Sequence, residues 1–189
     1  MSEPINDDQR YITQTQNWVR SVIIGHNYCP FAKREVENET VRYQLMHGQT
    51  LNQALQGIIS ECVYLDTNKG TETTLLIYPD GLEQFSSFLD FLTLAEEHLH
   101  AQGYEGIYQL ASFHPHYCFQ GAVETDPANY TNRSPYPMLH LIREASIEKA
   151  LQHHPDPEAI PERNIEFARA QGLETMQQLL NQCFETGNE

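Results

Sequence analysis

The run Thr73-Thr-Leu-Leu-Ile-Tyr78, which ends at the turn signal Pro79-Asp-Gly81, decides the fold. A short apolar run bounded by turn residues is typical of a strand buried in a sheet. The residues that follow, 82–101, carry an apolar face at helical spacing and end before Gly103; this face consists of Leu82, Phe85, Phe88, Leu89, Leu92 and Leu99. A buried strand followed directly by an amphipathic helix predicts an α/β domain.

The same alternation of strands and helices continues in both directions along the chain. Residues 41–46, 106–113 and 138–143 predict three more strands. Thr50 and Gln53 have the spacing of a capping box, which predicts the start of a helix between the first two strands. Helices that alternate with strands indicate a sheet that is at least partly parallel.

Helical patterns also occupy both ends of the chain, over residues 8–24 and 158–185, with Gly172 as a candidate break in the second pattern. We therefore predict a single α/β domain over residues 1–189, in which helices pack on a mixed sheet of about four strands. Residues 158–185 should form a C-terminal helical cap. No helix separates the third and fourth strands, so they either pair antiparallel or the fourth is added at an edge of the sheet.

Composition and charge exclude several classes of function. The chain has 189 residues, with 26 Asp and Glu against 11 Lys and Arg, for a net charge of −15. Such a negative surface would repel nucleic acids and anionic membranes, so we expect neither as a partner. No apolar run reaches the ~20 residues of a membrane span, and the N-terminus does not resemble a signal peptide, so we expect a soluble cytoplasmic protein. The sequence indicates no oligomeric state.

The long loop over residues 114–137 is the segment that most favours a functional site. Loops of this length in compact domains are usually functional or disordered, and the aromatic content and low charge of this one argue against disorder. It follows the third strand, at whose carboxyl end the ligands of α/β sheets commonly bind. We therefore predict that the loop folds and presents polar groups to a ligand, with a purely structural loop as the alternative.

Arg133 is the candidate anchor for such a ligand. It lies between Asn132 and Ser134 in a region with few basic residues. A guanidinium among amide and hydroxyl donors suits two-point binding of a carboxylate or phosphate, so we predict a small anionic ligand. Alternatively, Arg133 pairs with Asp126 or Glu124 and simply holds the loop together.

Histidines supply the candidate acid–base groups. Imidazole titrates near neutral pH, so His114 or His140 could move a proton in a metal-free reaction. We predict no cofactor. A weaker alternative is a metal site: the spacing of His114 and His116 places them on one face of an extended backbone, where His140 and Asp126 could complete a ligand set.

Cys29 is the candidate nucleophile. It precedes Pro30 in a turn, with Lys33 and Arg34 one helical turn further on. Nearby cations and a helix start would lower the pKa of this thiol and make it more reactive. The alternative is a buried cysteine that helps the turn to fold. The chain has four cysteines but no C-x-x-C pair, which argues against a structural zinc site.

Motifs of unusual composition are spread over nearly the whole chain: Trp18, Asn27-Tyr-Cys-Pro-Phe-Ala32, Ala111-Ser-Phe-His-Pro115, Asn129-Tyr-Thr-Asn-Arg-Ser-Pro-Tyr-Pro137 and His140-Leu-Ile-Arg-Glu144. Together they resemble a bacterial family catalogued as domain-of-unknown-function family 1415. The resemblance implies a single-domain cytoplasmic protein of bacterial origin and brings no activity, substrate or cofactor. It adds weight to a set of positions that excludes His116 and Cys118, namely Asn27, Cys29, Pro30, His114, Pro115, Asn129, Asn132, Arg133, Ser134, His140 and Arg143.

These observations predict an enzyme that acts on a small anionic metabolite through the 112–143 segment. Its ligand-binding residues would be Asn27, Asn129, Asn132, Arg133, Ser134 and Arg143, and its catalytic residues His114, His140 and Cys29. The alternatives are a non-catalytic module that binds a metabolite or peptide, and a histidine-based metalloprotein. The phosphate-loop and dinucleotide-binding glycine motifs and the G-x-S-x-G elbow are absent, which excludes ATP, NAD and hydrolase sites built on them.

Overall fold

Four strands form one mixed sheet in the computed structural model, which describes residues 6–48, 50–152 and 155–185. They are β1 (Val41–Leu45), β2 (Thr73–Ile77), β3 (Tyr108–Phe113) and β4 (Met138–Arg143). Their order is β1-β2-β4-β3, in which β1 and β2 are parallel and β4 is antiparallel to both of its neighbours. The predicted mixed sheet is therefore confirmed. Of the two alternatives for the fourth strand, antiparallel pairing with the third is confirmed. The edge position is wrong, because β4 lies between β2 and β3.

Seven α-helices occur within the described residues: α1 (Asp7–Trp18), α2 (Ala32–Glu37), α3 (Leu51–Thr67), α4 (Phe85–Ala101), α5 (Glu144–Leu151), α6 (Ile160–Gln171) and α7 (Leu173–Gln182). The capping box of Thr50 and Gln53 is present at the start of α3. Gly172, at a φ of 82°, separates α6 from α7. None of the helices described here is long and apolar enough to cross a bilayer.

Side chains alternate along β2 between two hydrophobic clusters. Leu76 belongs to a cluster with residues of α3 and α4, whereas Leu75 and Ile77 belong to a second cluster with residues of α1, α6 and α7. Helices thus cover both faces of the sheet. This arrangement fixes the register, because a slip of one residue would move each side chain to the opposite face.

The N-terminal helical segment changes its winding part-way. α1 ends at Trp18, and a π-helical segment, Val19–Ile24, continues to the end of the predicted 8–24 helix. At the next residue, Gly25, an added Cβ would lie 2.2 Å from the carbonyl oxygen of Ser21. The wider winding therefore requires a glycine here, since a side chain would collide with the backbone of the preceding turn.

One edge of the sheet collects the carboxyl ends of three strands. β4 is antiparallel to β2 and β3, so β1, β2 and β3 all run in one direction. The Tyr78 amide donates to the Pro137 carbonyl (2.9 Å), which joins the end of β2 to the start of β4 at this edge. The loop 114–137 and the start of α4 lie here, where the sequence predicts a ligand site.

Candidate functional site

The loop 114–137 is folded, and Asn129 cross-links its turns. The loop contains a 3₁₀ helix over Pro127–Thr131, in which the Asn129 side chain is fully buried. Its amide nitrogen donates to the Val123 carbonyl (2.9 Å), and its amide oxygen accepts from the Phe119 amide (3.0 Å). Both ends of the side chain therefore satisfy loop backbone groups, which would otherwise be costly to bury.

Arg133 joins two further turns of this loop. Its Nε donates to the Tyr117 carbonyl (3.0 Å), and one Nη donates to the Glu124 carbonyl (2.9 Å). The guanidinium also lies 4.6 Å from the centre of the Tyr130 ring, a cation–π contact. The carbonyl of Arg133 accepts from the Trp18 indole (2.9 Å), which ties the loop to α1.

The positive charge of Arg133 has no counter-ion in the part of the chain that the structure describes. No carboxylate there lies within 4.0 Å of its guanidinium. Asp126, which we considered as its partner, instead pairs with Arg169 (2.7 Å), which lowers the pKa of that carboxyl. Glu124 engages Arg133 only through its backbone. Arg133 thus holds the loop while keeping an uncompensated charge.

His114 is a buried bridge between the loop and the start of α4. Its side chain is fully buried against the Phe85 and Phe88 rings, with centroids 5.2 and 5.1 Å away. Nδ1 accepts from the His116 amide (3.0 Å), so Nε2 carries the proton and donates to the Leu82 carbonyl (2.9 Å). Burial lowers the pKa of His114 and keeps the imidazole neutral.

Two clefts open beside this loop. The first, of about 270 Å³, is lined by His116, Glu124, Thr125, Arg133, Leu173 and Gln177. The second, of about 440 Å³, is lined by Glu83, Gln84, Phe85, Ser86, His116, Cys118 and Glu124. Both clefts lie at the carboxyl edge of the sheet. His116 and Glu124 belong to both linings, and both residues are exposed.

A comparison of the chain with protein-family models identifies the family to which it belongs. The model described as "Protein of unknown function (DUF1415)" matches residues 10–178. The chain belongs to this family. The prediction from its motifs is confirmed, whereas no curated protein and no solved structure matches the chain. The family description names no activity, so the chemistry of this DUF1415 chain must be argued from its own residues.

The loop after the π-helical segment lies outside both clefts. The Asn27 carbonyl accepts from the Arg163 guanidinium, and the Tyr28 carbonyl accepts from the buried Asn164 side chain (2.8 Å), so α6 holds this loop. Burial raises the pKa of the Cys29 thiol, opposite to the lowered value that we expected. The nearby cations do not offset this because Lys33 and Arg34 are exposed. The roles of Asn27 and Cys29 stay predictions.

Three more of the predicted ligand-binding residues bond to the chain itself. Asn132 contacts the Ser112 carbonyl (3.4 Å), and the fully buried Ser134 hydroxyl donates to the Tyr136 carbonyl (2.6 Å). Arg143 lies at the opposite end of β4, where it donates to the Tyr108 hydroxyl (2.8 Å). Arg133 is thus the one member of the predicted ligand-binding set that lines a described cleft.

His140 lies in the middle of the sheet. Thr73 uses its hydroxyl hydrogen on the Leu141 carbonyl (2.6 Å), so His140 Nε2 must donate to the Thr73 oxygen (2.7 Å). Burial lowers the pKa of His140 to about 4. His140 lines neither cleft, so its catalytic role also stays a prediction.

The weak metal alternative is not supported by the geometry. His114, His116, His140 and Asp126 are all described, yet no group of three His, Cys, Asp or Glu among the described residues could hold a metal ion. The reason is local: His114 uses both ring nitrogens, and Asp126 is paired with Arg169. The chain turns at Pro115, where the Tyr117 amide donates to the His114 carbonyl (3.0 Å), and the two rings lie 5.9 Å apart. They are neighbours, but His114 has no free nitrogen with which to share a metal ion.

Sequence reasoning missed the cleft residues Glu124, Gln177 and Ser86, and placed His116 only in the metal set. An exposed Gln on a helix and an exposed Glu in a loop carry no periodic signal. His116 had one usable signal: two histidines separated by a proline need not share a face. Which of the two is buried depends on the Leu82 carbonyl, which the sequence alone does not place.

Proposed function

We propose that this protein binds a small anionic molecule, a carboxylate or a phosphate ester, in the cleft lined by Arg133. The supporting observation is the half-buried guanidinium of Arg133, which has no carboxylate partner among the described residues. The Tyr117 and Glu124 carbonyls accept hydrogen bonds from the guanidinium but do not neutralise its positive charge. The remaining Nη nitrogen has no hydrogen-bond partner within the described residues, and it is available to an anion.

Physical chemistry favours such a site. The loop carbonyls hold the guanidinium in place, so a ligand would not bear the entropic cost of ordering it. A unit charge 4 Å away would gain about 4 kcal/mol at the effective dielectric of a protein surface. The chain as a whole carries −15 and repels anions, so saturable anion binding would report this cleft rather than general surface association.

The enzyme form of the proposal gives the acid–base role to His116. This exposed imidazole lines both clefts, and it shares the first with Arg133. His114 has no free ring nitrogen and instead positions the backbone of His116. A cytoplasmic location and a bacterial origin, expected from the sequence, belong to the same proposal.

Calorimetric titration with acetate, glutarate and inorganic phosphate tests the proposal. We expect saturable binding by the wild type, and at least a tenfold loss in Arg133→Gln, corresponding to about 1.4 kcal/mol. Arg169→Gln is the matched control: it also removes a cation beside the loop but lines neither cleft, so it should bind normally.

Arg133 also supports the loop, so a second variant separates binding from folding. Gln177→Glu is isosteric, lies on the exposed side of α7 and leaves the bonds of Arg133 intact. It adds a carboxylate to the lining of the same cleft and should weaken anion binding about tenfold by charge repulsion. Unchanged binding in both Gln177→Glu and Arg133→Gln would contradict the proposal.

A further inference from the structure

The two clefts are adjacent, because His116 and Glu124 line both of them, and together they are called the groove. At one end lie Arg133 and residues of α7, and at the other lies the start of α4. A ligand that occupies both clefts must therefore satisfy two different chemical environments.

The charges of the groove change sign along its length. Arg133 lines only the first cleft and Glu83 only the second, while Glu124 lies at the junction and lines both. The second cleft contains no Lys or Arg. Glu83 accepts a hydrogen bond from the Gly81 amide (2.9 Å), and bonding to backbone amides lowers the pKa of its carboxyl, so it is ionised. The Glu124 carboxylate forms no ion pair with any described residue.

The start of α4 would by itself favour an anion in the second cleft. α4 begins after Gln84, whose side chain does not cap the helix. However, Glu83 lies directly before this residue, so a carboxylate of the chain already compensates the positive end of the helix. With Glu124 added, the second cleft has an excess of negative charge that a cation would balance.

We propose that the groove binds a zwitterionic molecule of the amino-acid class, whose carboxylate meets Arg133 and whose ammonium group meets Glu124 and Glu83. The inference rests on the anion site proposed above and deepens it. A dianion of the same length would place its second charge beside two carboxylates, and a dication would place one beside Arg133. Each lining also contains an apolar residue, Leu173 in the first and Phe85 in the second, which a methylene chain could contact.

The experiment compares probes of equal carbon number that differ in their charged end groups. ω-Amino acids of increasing chain length are titrated calorimetrically beside the dicarboxylate and the diamine of the same length, for example δ-aminovalerate, glutarate and cadaverine. At the best-fitting length we expect the amino acid to bind about tenfold more tightly than the dicarboxylate, equivalent to ~1.4 kcal/mol. The diamine should bind more weakly still.

Variants assign this preference to the groove. Glu124→Gln keeps the backbone carbonyl that Arg133 uses and removes only an exposed charge, so it should lower the preference for the amino acid over the dicarboxylate towards parity. Glu97→Gln removes an exposed carboxylate of α4 outside both clefts and should leave the preference unchanged.

The outcomes separate the two proposals. Dicarboxylates that bind as tightly as the amino acids at every length would overturn the zwitterion and leave the anion site intact. A preference that survives Glu124→Gln would also overturn it, since the ammonium group would then be held elsewhere. If no acid binds at any length, or only the diamines bind, both proposals fail.

Discussion

Replacement of His114 by alanine should destabilise the protein strongly. The substitution removes the hydrogen bonds to the Leu82 carbonyl and from the His116 amide, and each such bond contributes about 0.5–1.5 kcal/mol. It also empties the space beside Phe85 and Phe88, and large-to-small changes in cores cost about 2–5 kcal/mol. Because relaxation offsets part of both costs, we expect a loss of about 3–5 kcal/mol, a large share of the ~5–15 kcal/mol typical of a domain.

Urea unfolding followed by tryptophan fluorescence measures this loss. Trp18 is the single tryptophan of the chain, is buried, and donates to the Arg133 carbonyl, so it reports the loop as well as the core. The matched control is His116→Ala, two residues away, which keeps the backbone amide and removes an exposed ring. It should change the free energy of unfolding by less than about 0.5 kcal/mol.

A free energy of unfolding for His114→Ala within about 0.5 kcal/mol of the wild type, or an equal loss in both alanine variants, would contradict the bridging role of His114. His114→Gln provides a further check. Its amide can still donate to the Leu82 carbonyl, but it cannot match both bonds of the imidazole. If His114→Gln loses less stability than His114→Ala, the difference measures the contribution of the hydrogen bond to the Leu82 carbonyl.

Three further predictions concern the rest of the fold, and urea unfolding measures each. Gly25→Ala should cost about 1–3 kcal/mol, because its Cβ would lie 2.2 Å from the Ser21 carbonyl oxygen; a neutral effect would show that the π-helical segment adjusts freely. Burial lowers the pKa of His140 to about 4, below its unfolded value of 6.5, so below pH 6.5 the unfolded chain binds a proton that the folded chain does not. The free energy of unfolding should therefore keep its whole His140 contribution above pH 6.5 and fall by about 3 kcal/mol as the pH drops to 4. If His140→Gln shows an acid loss as large as the wild type, the titrating group lies elsewhere. Glu61→Gln should lower the free energy of unfolding by about 1–3 kcal/mol, because Glu61 is buried and accepts from the Arg42 Nε at 2.9 Å. If the variant is as stable as the wild type, this ion pair contributes no more to stability than an exposed one does.

Local patterns predicted the elements of this fold but not their pairing. The four strands lie where alternation and apolar runs placed them, within two residues at either end. Their order was beyond the sequence, because the insertion of β4 between β2 and β3 depends on the pairing of distant segments. The π-helical segment was also missed, since Trp18 and Val22 have a spacing that an ordinary helix shares.

The candidate site was predictable only at Arg133. Its isolation from other basic residues marked it, and the structure places it in a cleft. The other polar residues of the loop were predicted as ligand-binding residues because their side chains can hydrogen-bond to a ligand. Asn129 and Ser134 instead use this capacity on backbone groups of the irregular loop, and such bonds follow no spacing rule. The same side-chain chemistry serves both purposes, so residue type alone could not separate them.

The central position of β4 has a consequence for synthesis on the ribosome. β1, β2 and β3 all emerge before β4, yet β4 is the one strand among the described residues with which β3 pairs. Until residues 138–143 leave the exit tunnel, β2 and β3 each present an unpaired backbone edge of the kind that templates aggregation. The nascent chain therefore cannot complete its sheet gradually. The β1–β2 pair and β3 become parts of one sheet only when β4 inserts between them, so this long-range pairing is a late step of assembly.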